Sequence, residues 1–227
     1  MNLASWLWRL LSRALAPWGE LCWDVLLERS LLEDLPALHP DIEVTLRLAQ
    51  PADLDRIVPM YSSDPWLYLG DVSRAPEARA RARELYLDRL RRGELCFLAI
   101  SGGEIAHVNW ICFTWGDALP DHPIRLRAGE VYTTDALTPP AFRGKALHAF
   151  VLRAMLAHAR ERGERHAYTL SRIDRTDSHK GLYRLGWREC GRALYFLQRR
   201  KTAPRFLWRQ GNLEPLFRPP VPLQSAG

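Results

Sequence analysis

The chain has 227 residues, 47% of them hydrophobic and 26% charged, and a formal charge of +6. This suits one domain plus extensions with an ample core, and the basic balance is compatible with nucleic acid, a membrane surface or anionic ligands. No uncharged run approaches the ~20 residues that span a bilayer, the four scattered cysteines form no CxxC pair, and the seven histidines have no ligand spacing, so a transmembrane segment and a structural zinc are not expected.

In chain order, Leu3 to Ala16 reads as an amphipathic helix, with Ser5, Arg9, Ser12 and Arg13 on one face and Trp6, Leu7, Leu10 and Leu11 elsewhere. Arg9 and Arg13 interrupt the apolar stretch, which argues against a signal peptide. Glu20 to Leu35 reads as a second helix, with Leu21, Val25 and Leu32 roughly aligned. The pair is expected to pack on the main domain or on a partner copy. A peripheral membrane foot and a lid over an acyl chain are the alternatives. Glu43 to Leu48 alternates like a strand, and Pro51 opens a helix. Ser62 to Ala75 reads as a loop, and Pro76 to Arg92 as a charged helix whose arginines, Arg89 among them, are expected on a solvated face.

Leu95 to Ile100 and Ile105 to Phe113 flank Gly102-Gly103, a strong hairpin signal. Strand period puts His107, Asn109 and Ile111 on one face and Val108, Trp110 and Cys112 on the other. Buried polar groups need partners, so His107 and Asn109 are either a satisfied structural pair or a substrate-binding pair. Trp115 to Arg127 reads as a loop.

Glu130 to Thr138, rich in Val, Tyr and Thr, reads as a strand that Pro139 and Pro140 end. Leu147, Val151, Ala154, Met155 and His158 then fall at helical spacing. The junction Phe142-Arg143-Gly144-Lys145-Ala146 thus places two cations and a glycine at a helix N-terminus, a ready anion site. His166 to Ser171 reads as a strand, Asp174 to Leu185 as a helix with Gly186 beyond its end, and Trp187 to Arg199 as a last strand region. From Pro204 the chain reads as a basic, Pro-rich extended arm.

The strand, Pro, Arg143-Gly144-Lys145-Ala146-Leu147-His148 and long helix resemble the acyl-CoA-binding motif of the GCN5-related N-acetyltransferases, Gln/Arg-x-x-Gly-x-Gly/Ala. The first position matches; Ala146 and His148 stand at the fourth and sixth. Leu185-Gly186-Trp187 resembles the family's later Leu-Gly-Phe. The Tyr four residues before that Gly, which protonates the leaving thiolate in many members, is here Leu182, with Tyr183 one residue on, about 100° around a helix.

The resemblance implies an α/β (α+β) fold, a mixed, mostly antiparallel sheet flanked by helices over residues 43–200; the helical extension read at 1–42 and the arm at 201–227 lie outside that core. It implies acyl transfer, most simply of an acetyl group, from acetyl-CoA or another acyl-CoA to a small-molecule or peptide amine, by direct attack in a ternary complex. Ala136, Leu137 and Thr138 would pair with pantetheine, and Arg143, Gly144, Lys145, Ala146, Leu147 and His148 would hold the diphosphate. Glu130 is the first base candidate, with Asp135 and His107 behind it, and Tyr183 is the acid candidate, with Tyr168 and Tyr132 as rivals. Alternatives are a long-chain acyltransferase fed by a carrier protein or lipid CoA, and a non-catalytic binding module. No metal or nucleic acid is expected; homodimerisation and carrier-protein contact stay open. The expected location is the cytoplasm, with a peripheral membrane site as alternative.

Overall fold

A computed structural model of the chain describes residues 17–61, 76–113, 124–198 and 205–218, with Leu11, Ala14 and Leu15. The expectations for most of 3–16, for the loops 62–75 and 115–123 and for 219–227 lie outside the described residues.

Among the described residues eight strands form one sheet in the order β2-β3-β4-β5-β6-β1-β7-β8. They are β1 (Gly19–Ser30), β2 (Thr45–Leu48), β3 (Leu95–Ser101), β4 (Glu104–Cys112), β5 (Glu130–Leu137), β6 (His166–Arg172), β7 (Arg188–Gln198) and β8 (Arg205–Gly211). Neighbours are antiparallel except β5 and β6. Helices α1 (Leu54–Tyr61) and α2 (Pro76–Arg91) cover one face, burying Leu54, Ile57, Tyr61, Ala82 and Tyr86 against Leu98, Val108, Trp110 and Leu137. Helices α3 (Leu147–Glu161) and α4 (Thr176–Arg184) cover the other, where Val151, Met155, Leu156 and Leu182 meet Val25, Leu27, Phe97, Ile111 and Val131. The short α5 (Glu214–Phe217) follows β8. Leu213 and Leu216 fill a third cluster with Cys22, Leu26, Tyr132 and Tyr195.

Two expectations are corrected. Glu20 to Leu35 does not form a helix: residues 19–30 are β1, an interior strand between β6 and β7. Such a strand is apolar on both faces. Val25 and Leu27 enter the core under α3 while Cys22 and Leu26 enter the third cluster. A strand buried on both sides loses the polar alternation that marks a half-buried one, and its residues then fit helical spacing as well. The segment after Pro204 is likewise not a plain arm, because it supplies β8 and α5. The segments 1–42 and 201–227, read as appendages, each give a strand to the sheet.

Candidate active site

The parallel pair β5–β6 is joined only at Glu130↔His166, Val131↔Ala167 and Tyr132↔Tyr168, although β5 continues to Leu137 and β6 to Arg172. Beyond Tyr132 the strands part. At the parting a side chain replaces the ladder, with Thr169 Oγ1 donating to the Thr133 carbonyl at 2.9 Å. The edge of β5 that faces β6 is therefore open beyond Thr133. On its other edge β5 is irregular: Val108 pairs with Leu137 and Trp110 with Thr134, so Asp135 and Ala136 together face Asn109. This is a bulge, and Asp135 takes a left-handed φ of 51° in it.

Two buried polar groups support this region. On the α1/α2 side Arg89, fully buried, pairs through Nε with Glu94 at 2.6 Å and through Nη1 with Asp135. Its guanidinium lies 4.3 Å from the Trp110 ring centroid. Burial opposes its charge, but Asp135, Cys112 and Glu94 keep it firmly protonated. Arg89 thus departs from the solvated face expected of it. Ala82, Tyr86 and Arg89 form the buried stripe of α2, an i, i+4, i+7 pattern that the surrounding arginines mask in the sequence.

On the α3 side His107 Nδ1 meets Thr138 Oγ1 at 2.7 Å, and its ring centroid is 5.6 Å from that of His148. Burial pushes both imidazoles down, His148 to about 4, with His148 adding to the effect on His107. His107 and Asn109 are each 1% exposed, so the structure does not bring them to the mouth of the parting as a substrate pair would require.

The turn between β5 and α3 is built on left-handed residues. Gly144 has φ 75° and Ala146 has φ 57° as N-cap, without a side-chain cap. The left-handed φ at Ala146 costs an L-residue roughly 1–2 kcal/mol. A Cβ on Gly144 would meet nothing within 4 Å, so the turn faces open space. Arg143 and Lys145 are exposed, and Arg143 Nε donates to the Thr138 carbonyl at 3.1 Å. His148 does not obstruct the turn, because its side chain is packed inward near His107 and Gly181 of α4. Of the expected cofactor residues, Ala136, Arg143, Gly144, Lys145 and Ala146 are exposed, Leu137 and Leu147 are buried, and Thr138 and His148 are half-buried.

The remaining candidates separate. Glu130 begins β5, roughly 23 Å of strand from Leu137. Its carboxylate is taken up by Arg218, with Nη2 at 3.0 Å and Nη1 on the other oxygen, and by the Arg127 amide at 2.7 Å. That is an anchor for the segment after β8, and it removes Glu130 from the candidate bases. Tyr183 is 47% exposed while Leu182 is buried in the core. The titratable side chain that α4 directs at β6 is His179, whose Nε2 lies 3.0 Å from Ser171 Oγ. Burial lowers its pKa. Its sequence signal is its spacing: it stands three residues before Leu182 and so shares that side of α4.

No protein-family model and no curated protein matches the chain. Solved structures do. A GNAT-family acetyltransferase from Colwellia psychrerythraea is 15% identical and aligns over 84% of this chain and 62% of its own, with a TM-score of 0.56. A GCN5-related N-acetyltransferase from Sphaerobacter thermophilus is 15% identical over 92% of this chain and 56% of its own, TM-score 0.52. A functionally unknown protein from Staphylococcus epidermidis is 13% identical over 84% and 66%, TM-score 0.53. This chain thus spans less than two thirds of each of these three chains. The likeness is one of fold: a mixed, mostly antiparallel sheet flanked by helices, as in the GCN5-related N-acetyltransferases.

Proposed function

We propose that the protein transfers an acyl group from an acyl-CoA to an amine. The observation that carries this is the parting of β5 and β6 beside the uncapped N-terminus of α3. An extended pantetheine arm has amide groups that match the open edge of β5, from Thr134 to Leu137. The diphosphate then falls at the turn Arg143–His148, where free helix N–H groups, the positive end of the helix dipole and two cations converge. The left-handed turn at Gly144 and Ala146 fits such a group, since it opens to solvent and the imidazole of His148 faces away.

The amine nitrogen attacks the thioester carbonyl carbon, the C–S bond breaks, and the proton lost by nitrogen ends on the thiolate. A β5 amide at the bulge would hold the oxyanion, a contribution of about 3 kcal/mol where a buried donor is well aimed. For the proton, α4 offers His179, one turn before Leu182, the position at which the resemblance implies a tyrosine. Acetyl is the simplest acyl group; a longer acyl-CoA or a carrier-bound donor uses the same edge.

The test is thermal unfolding with CoA, acetyl-CoA and medium- and long-chain acyl-CoA. Binding to the folded state alone raises stability by about 2.7 kcal/mol at a hundredfold excess over Kd. A shift with CoA in the wild type and none in a folded Arg143→Glu variant is the expected result. A shift that survives Arg143→Glu relocates the diphosphate, and no shift with any member overturns the reading.

A further inference from the structure

Asp135 lies in the parting and carries a carboxylate, which makes it the obvious base once Glu130 is removed. Its surroundings give it another task. It is a non-glycine residue at φ 51°, a conformation L-residues enter at a cost and keep only when neighbours enforce it. Here two neighbours do. The carbonyl of Asp135 accepts the Tyr61 hydroxyl of α1 at 2.9 Å. Its carboxylate pairs with Arg89 of α2, which Glu94 fixes from behind. Tyr61 stacks on Tyr86 at 5.2 Å, and Tyr86 leans on Trp110 at 5.1 Å. Both clamps are therefore immobilised in the core of the α1/α2 face. The peptide they hold belongs to the bulge, the place where β5 leaves the β4 ladder and its other edge is open.

We propose that Asp135 is a positioning residue: Arg89 and Tyr61 grip its carboxylate and its carbonyl, and thereby set the β5 peptides that receive the thioester. The inference rests on the acyl-CoA reading for its substrate. The side chain acts through the backbone it fixes, so what it must supply is an acceptor for Arg89 and tolerance of a left-handed φ. Asparagine supplies both; alanine supplies neither. A base would instead need the carboxylate itself, and its loss lowers rates by about 10²–10⁴.

The experiment compares Asp135→Asn, Asp135→Ala and Tyr61→Phe in the full chain. It uses steady-state acyl transfer from acetyl-CoA and, without any ligand, amide hydrogen exchange over residues 133–138. Positioning predicts that D135N lowers kcat/KM no more than tenfold, with the pH profile unmoved and exchange close to wild type. D135A loses fiftyfold or more, and Y61F raises KM for acetyl-CoA; both speed exchange at least tenfold. D135N as inactive as D135A, with CoA still shifting its unfolding, would make the carboxylate the base and overturn the proposal. Unchanged exchange in D135A and Y61F would overturn it too. Because exchange needs no ligand, a wild type that fails to bind CoA would defeat the functional reading and leave the clamp to be judged by exchange.

Discussion

His107 and His148 face one another across β4 and α3, and His107 also meets Thr138. Each is neutral when folded, held below its ordinary pKa by burial. Once unfolded, each titrates near 6.5. The unfolded chain therefore takes up more protons as the pH falls below that value, and the stability difference shrinks until the folded rings also protonate, for His148 at about 4. The contribution of the two rings is full above pH 7 and declines as the pH falls from 6.5 toward 4, with His148 alone responsible for about 3 kcal/mol. Urea unfolding at pH 7.5 and 5.0 checks this: the drop should be clearly smaller in His148→Leu, and an identical drop would exclude His148 as its cause. The turn itself was legible because Arg143, Gly144 and Lys145 are neighbours in the chain. The pairings of Asp135 with Arg89 and of Glu130 with Arg218 were not, since they join residues 46 and 88 positions apart, and residue type alone does not distinguish a base from an anchor.

At the scale of elements, the hairpin β3–β4 and the strand-turn-helix from β5 to α3 were readable because local rules decide them: Gly102 and Gly103 in the first, the Pro pair and a 3.6-residue period in the second. β1 was misread because its environment decides it. Leu27 is fully buried among residues of α3 and the sheet, so Leu27→Ala should cost about 2–5 kcal/mol, measured as a lower urea midpoint. A loss below about 0.5 kcal/mol would mean that β1 is not an interior strand. The same substitution in a solvated helix would be almost neutral.

Across the whole molecule, the segment after β8 returns to the start of β5. Arg218 donates to Glu130, to Glu214 through Nε at 2.7 Å and to the Arg125 carbonyl at 2.9 Å. Arg218→Ala leaves the Glu130 carboxylate largely buried without its main partner, which should destabilise the fold by about 2–4 kcal/mol while leaving the KM for acyl-CoA unchanged. A shift in KM with little change in stability would return Glu130 to the site. The placement of β1 has a consequence for how the protein is made. Its partners are Asp24↔Arg172 on β6 and Leu21↔Phe196 on β7, so a ribosome must add well over a hundred residues before either is available. At about 5–20 residues per second, roughly 10–30 s pass with an apolar strand unpaired. The nascent chain is then a ready client for a holding chaperone, and its yield should depend on chaperone supply more than its final stability suggests.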